Sequence, residues 1–420
     1  MHNQYQFPAV LSVRTQARIV NETLKARMDA LLPALMHETG IDMWIIVCYE
    51  DNYDPVFNTL IPWECWAPIL QMMVFFDRGE AGVERLNISL TDMQGLMTTI
   101  WNLQSAEDQW ACLRRVVEER QPKRIGINQS DVIWAADGLT AALKEKLVAT
   151  LGTELAGRIV SAEPLCIRWL ETRLPTELAL YEQACAIAHA LMKTCFSRQV
   201  ITPGVTTIDD LRWWYWQTTT DLGLPVSFPP FFRFMRSEAE RQKWGSADRV
   251  IRPGDMVHCD VGVKYMRILT DHQELGYVLR PGEFAPPRGL LDGLAQANLL
   301  QTVFMSTWAE GLTGNEILTK ALAHGREAGV AKPKIYSHSL SHYLHEPGPL
   351  MGLPWEQVAC PGRGDVKMRY DTVYTVELGA TCPVPEWGGQ EVAFPLEQDA
   401  MFTRQGSFFI DGRQTEFHLI

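Results

Sequence analysis

The chain lacks a CxxC pair, a regular cysteine framework, an internal repeat and a low-complexity segment. Its nine cysteines are scattered along 420 residues. An odd, unpatterned set argues against a disulfide-stapled secreted scaffold and fits a reducing compartment, each thiol serving as a small buried apolar group. No uninterrupted apolar run is long enough to span a bilayer, and the opening "MHNQYQFPAVLSVRTQARIV" has no basic-then-apolar leader pattern. Cytoplasm is the expected compartment, with no membrane partner. Positive charge is also short: 38 Lys and Arg stand against 50 Asp and Glu, a formal net charge of −12. That balance speaks against nucleic acid as a partner.

What is present suits a globular protein too long for one ordinary core, 46% hydrophobic and 21% charged. A helix is expected over 12–39. "MWIIVCY" (43–49) and "MMVFFD" (72–77) have the composition of buried strands. A helix over 106–120 leads to a further strand, "RIGIN" (124–128). This alternation predicts a small α/β domain over residues 1–163. Beyond it, helices are expected over 175–200, 207–222 and 285–311. Another should run from Gly314, with Asn315 as cap, to just before Gly329. The last hundred residues turn to strand-like runs, "DTVYTVELGA" and "EVAFPLEQDAMF". Residues 164–420 therefore read as α+β, with helices packed on antiparallel sheet.

The acids of this second part sit in unusual places. "DVGVKYMRILTD" begins with Asp260 and ends with Asp271. Strand alternation puts His258 and Asp260 on one face and Val257, Cys259 and Val261 on the other. A hairpin would set Asp260 beside Asp271, and two such charges stay ionised only around a cation. Two solvated strand ends are the alternative. "SHSLSHYLHEPGP" follows with His338, His342 and His345, and then come Glu377, Glu391, Glu397 and Asp399 in strand-like runs. Singly these are ordinary residues. In the order Asp, Asp, His, Glu, Glu they carry about four negative charges, which two divalent ions neutralise. A mixed carboxylate and imidazole shell suits Mn, Co, Fe or Zn, whereas calcium wants more oxygens.

On these motifs the C-terminal part, roughly 165–420, resembles the M24 metallopeptidases of pita-bread (creatinase/aminopeptidase) fold, which include Xaa-Pro aminopeptidases and prolidases. The matching features are the two aspartates after a "PGD" turn, a histidine seven positions before "HEP", "VELG", and "EQD". The resemblance implies that Asp260, Asp271, His338, Glu377 and Glu397 hold two divalent ions, manganese first and cobalt, zinc or iron otherwise. Asp271 and Glu397 would bridge both ions, and His345 would face the substrate. The segment 1–163 resembles, in architecture, the domain that precedes such catalytic domains. That resemblance implies a homodimer, with Trp63 or Trp66 covering a neighbouring subunit's site.

Several family features are replaced. Ser339 and Ser341 stand for glycines, Leu378 for a proline, and Pro395 for an arginine. Glu397 is chosen over Glu391 on the "E-x-D" match. No histidine occurs between 190 and 257, where "SFPPFFRFMRSEAER" offers arginines instead. The expected activity is hydrolysis of short Xaa-Pro peptides by a metal-activated water. Glu377 would be the proton shuttle, and His345 with His342 would be the substrate contacts. Two other readings stand beside it: a creatinase-like C–N hydrolase or lyase acting on a small non-peptide substrate, and a metal-free binding module.

Overall fold

The protein is described by a computed structural model covering residues 5–345 and 347–420. The chain separates into two compact units, Leu11–Leu174 and a larger one made of Pro175–Ile420 with the segment ending at Val10. The expected boundary at 163/164 falls one helix early. Helix Glu163–Glu171 packs on helix Leu32–Thr39 and buries Leu165, Cys166, Trp169 and Leu170 within the first unit. No disulfide links any of the nine cysteines, and seven of them are buried. Among the described residues no helix is long and apolar enough to cross a membrane.

The first unit is built on a mixed six-stranded sheet. Its strands are β1 (Met43–Tyr49), β2 (Leu70–Asp77), β3 (Val83–Asn87), β4 (Thr98–Thr99), β5 (Ile125–Ile127) and β6 (Ile159–Ser161), in the order β4-β3-β2-β1-β5-β6. The apolar run of β1 is buried along nearly its whole length, as a central strand covered on both faces requires. Helix Ala141–Ala156 lays Leu143, Leu147, Leu151 and Leu155 on this sheet at the four-residue spacing of a helix face. The helix expected over 12–39 is helical from Val13 to Thr39, with one π turn at Arg27–Leu31, and ends on Gly40 at φ 65°.

In the second unit, β7 (Phe231–Met235), β8 (Met256–Val261) and β11 (His272–Tyr277) pair antiparallel, and β19 (His418–Leu419) adds parallel to β11. The short hairpin of β9 (Lys264–Tyr265) and β10 (Ile268–Leu269) connects β8 to β11. Met266 and Arg267 take the positive φ values of its two-residue turn. Gly262, just before this hairpin, cannot be another residue without movement: a Cβ there would lie 1.9 Å from the Thr270 carbonyl oxygen.

Two further sheets follow. One is β12 (Lys334–Ile335), β15 (Leu378–Val384) and β16 (Gln390–Leu396). The other is β13 (Ser339–Leu340), β14 (Thr372–Thr375), β17 (Asp399–Thr403) and β18 (Gly406–Phe409). Helix Arg288–Ser306 packs on β15 and β16 through Leu290, Leu294 and Ala297. Gly293 admits the Phe394 ring, which a Cβ would meet at 2.1 Å. That helix starts later than expected because Pro286 and Pro287 precede it. Helix Gly314–Glu327 is capped by Thr313 in a reciprocal box with Glu316, not by Asn315. The Asn315 side chain instead holds Cys360 and Asp365.

Candidate metal centre

Each of the two long strand-like runs of the C-terminal region is broken, and the break falls on a glutamate. β14 ends at Thr375 in one sheet and β15 begins at Leu378 in another, leaving Glu377 between them. β16 ends at Leu396 and β17 begins at Asp399, leaving Glu397 between them. The two crossings are clipped together by the Val376 amide donating to the Gln398 carbonyl at 2.8 Å. Glu397 also exchanges backbone hydrogen bonds with Gln273 of β11, which ties in the third sheet. His338 lies beside the same crossing, since the Thr375 amide donates to its carbonyl at 2.9 Å. The side chains expected as ligands thus emerge where three sheets meet.

The hairpin acts as expected, with one difference in register. Across the ladder Asp260 faces Gln273, and Asp271 sits one residue before β11. The donor atoms of Asp260, Asp271 and Glu397 still lie within 4.8 Å of one another, as do those of His338, Glu377 and Glu397. Glu397 belongs to both groups. The His338 Nε2 is 3.8 Å from Asp271 Oδ2 and 4.0 Å from Glu397 Oε1. His338 Nδ1 lies 3.2 Å from the Ser339 carbonyl, which only accepts, so the proton is on Nδ1 and Nε2 offers a lone pair to the acids. Burial drives the His338 pKa down to about 3, which keeps the ring neutral.

The acids are strained electrostatically. Burial pushes the Asp260 carboxyl up to about 7 against the pull of Arg233. Asp271, Glu377 and Glu397 are driven up as well, by burial first and then by the neighbouring carboxylates. His338 Nε2, Asp271 Oδ1 and Glu397 Oε1 are buried without a hydrogen-bond partner among the described residues. Such atoms cost free energy unless something fills the space between them. Carboxylate oxygens and one imidazole nitrogen are a donor set that divalent first-row cations fit.

The remaining expected residues fall differently. Glu391 is exposed and pairs with Lys332, away from the donor groups, whereas Glu397 is buried and belongs to two of them. His345 packs edge-on against His338, with ring centroids 4.7 Å apart, and joins Asp271 and His338 in a third donor group. His342 points elsewhere: its Nδ1 donates to the Arg267 carbonyl, at the tip of the β9–β10 hairpin, at 3.2 Å. Glu346, the partner of His345 in "HEP", lies outside the described residues.

Gln273 was not singled out from sequence, His258 was placed only on the face of Asp260, and Arg233 only within an arginine-bearing segment. Gln273 Nε2 donates to Glu377 Oε1 and to Glu397 Oε2, both at 2.8 Å. Its Oε1 then accepts from His258 Nε2 at 2.9 Å. Strand alternation placed His258 beside Asp260, and the same alternation carried on from Asp271 would have reached Gln273. Arg233 joins His258, Asp260, Gln273, Lys334 and Glu377 around a cavity of about 470 Å³. It comes from the arginine-bearing segment 227–241 that stands where no histidine occurs. Its neighbour Arg236 is structural, forked onto Asp255 at 2.6 and 2.7 Å.

The model of metallopeptidase family M24 matches residues 179–397. Among curated proteins nothing matches. Among solved structures the chain is similar to an X-Pro aminopeptidase from Thermotoga maritima, with TM-score 0.62 and 16% identity over 91% of this chain and 98% of that one. It is similar to an Xaa-Pro dipeptidase from Bacillus anthracis, with TM-score 0.59 and 17% identity over 96% and 100%. It is also similar to the N-terminal domain of the FACT complex subunit SPT16 from Cicer arietinum, with TM-score 0.59 and 10% identity over 94% and 98%. At these identities the likeness is one of fold.

Proposed function

Because this chain belongs to metallopeptidase family M24 and has its pita-bread fold, we propose that it is a dinuclear metal-dependent hydrolase that cleaves short peptides of Xaa-Pro type. One observation carries the reading. Four carboxylates and an imidazole spread from 260 to 397 bring donor atoms within 4.8 Å of one another in overlapping groups, and three of those residues, Asp271, His338 and Glu397, carry buried atoms without a hydrogen-bond partner among the described residues. Asp260, Asp271, His338, Glu377 and Glu397 would hold the ions, with manganese the first candidate. When bound, the ions would supply Lewis-acid activation of water and of the scissile carbonyl.

The chain's own groups do the rest. Glu377 lines the cavity, and burial favours its protonated form, so it can take the proton of the attacking water and return it to the leaving amine. Gln273 fixes one oxygen of Glu377 and leaves the other for that transfer. The neutral His345 ring stands by Asp271 to stabilise charge on the carbonyl oxygen. Arg233 and Lys334 are the cations of the cavity, suited to a substrate carboxylate, while Phe231 and Tyr336 give it apolar walls. The volume suits a di- or tripeptide. A cytoplasmic homodimer belongs to the same proposal: Trp66 is 72% exposed, and sedimentation as a monomer would remove the dimer.

A second reading is favoured by one contact. The Gln273 amide donates to two of the acids, which satisfies part of the cluster without an ion, as a metal-free binding module would need. Hydrolysis of Xaa-Pro dipeptides and tripeptides by the Mn(II)-loaded chain decides between them. Cleavage before proline supports the peptidase. Bound metal without cleavage moves the reading to a creatinase-like C–N hydrolase or lyase on a small non-peptide substrate, and absence of both metal and cleavage supports the module.

A further inference from the structure

A second set of donors lies on the other side of the strand that follows Asp271. Cys185 comes from helix Pro175–Cys195, His272 from β11 and Asp399 from β17. All three are fully buried, and one donor atom of each lies within 4.8 Å of the others. Cys185 Sγ is 3.5 Å and His272 Nε2 4.0 Å from the same Asp399 oxygen, Oδ2. Neither ring nitrogen of His272 has a hydrogen-bond partner among the described residues. An imidazole with no exposure and two unsatisfied nitrogens is expensive, and no apolar role explains its choice over leucine or methionine.

We propose that Cys185, His272 and Asp399 form a separate, closed structural site for a zinc-class divalent ion. The chemistry matches: a thiolate, an imidazole and a carboxylate are zinc ligands, and Asp399 has a second oxygen for the fourth position. The charges match as well. Binding displaces the thiol proton, and the thiolate with the carboxylate then cancels the ion's two positive charges, so a neutral unit is buried. The ion would staple one helix to strands of two different sheets. It would also steady the hydrolytic centre, because the Asp271 amide is directed at the Asp399 carboxylate, 3.3 and 3.4 Å from its oxygens.

The test uses the full chain expressed with cobalt in the medium, since the site is closed once folded. Cys65 and Cys360, the two cysteines that are not fully buried, are replaced by serine to remove adventitious thiolates. A sulfur-to-cobalt charge-transfer band in the near ultraviolet is expected. Cys185→Ser should abolish it together with one bound ion per chain. The proposed hydrolytic centre contains no sulfur, so its ions neither produce nor mask the band, and the two sites succeed or fail separately. A folded, cobalt-grown chain without the band, or a band that survives Cys185→Ser, overturns the proposal. If that variant does not fold, zinc-edge X-ray absorption on the unaltered zinc-grown chain decides. A sulfur at about 2.3 Å is expected, and a shell of nitrogen and oxygen alone overturns it.

Discussion

At the residue scale, Asp260, Asp271, His338, Glu377 and Glu397 stood out through their order along the chain and the family resemblance, since singly each is an ordinary residue; the structure brings their donor atoms together in overlapping groups. Asp271→Asn should weaken binding of the second metal ion by more than about 100-fold, read by metal titration. Undiminished stoichiometry in that variant would sink the assignment. Gln273 was missed because an amide carries no charge signal. Gln273→Ala should cost about 10–100-fold in metal affinity if the amide orients Glu377 and Glu397. Unchanged affinity with a large loss of stability would favour the metal-free module. The acids also set a pH dependence. The Asp260 pKa is raised in the fold to about 7. The stability its neutral form provides is present below its ordinary value near 4, and is lost as pH rises through about 7. Asp271, Glu377 and Glu397 are raised in the same direction, so the chelated chain should lose stability as pH rises from about 4 through 7. Metal affinity should rise over the same range, because the ion displaces that proton. Melting curves with and without chelator check both.

At the scale of elements, composition revealed strands but not where they change sheets. "DTVYTVELGA" reads as one strand, yet the chain leaves its sheet at Val376–Glu377, and "EVAFPLEQDAMF" breaks likewise at Glu397. Alternating apolar residues look the same on either side of a crossing, so the pattern that revealed the strands concealed the junction that makes the site. The hairpin was legible from Asp260 and Asp271, whereas its internal β9–β10 turn rests on positive φ at Met266 and Arg267, which no turn-forming residue advertised. Gly262→Ala should disrupt this connection, costing about 3 kcal/mol in urea denaturation and metal affinity with it. A variant of wild-type stability would show that the hairpin tolerates the shift.

At the scale of the molecule, two units were expected and two are found, with the break one helix later than composition suggested. Nothing in the sequence marks helix Glu163–Glu171 as belonging to the first core, because its allegiance is set by packing on a helix about 130 residues earlier. All five proposed ligands belong to Pro175–Ile420. Chelation should therefore raise hydrogen exchange in β8, β11 and β17 while leaving β1 and β2 unchanged. Exchange rising equally in both units would contradict a centre confined to one of them.

The central claim is that the acids and His338 exist to hold a pair of ions. The most direct test is the count of Mn(II) bound per chain after equilibration, because manganese favours oxygen ligands over the thiolate of the Cys185 cluster. About two ions per chain are expected, falling in Asp271→Asn. No bound manganese in the folded wild-type chain would contradict the account and leave the cluster as a set of protonated carboxyls.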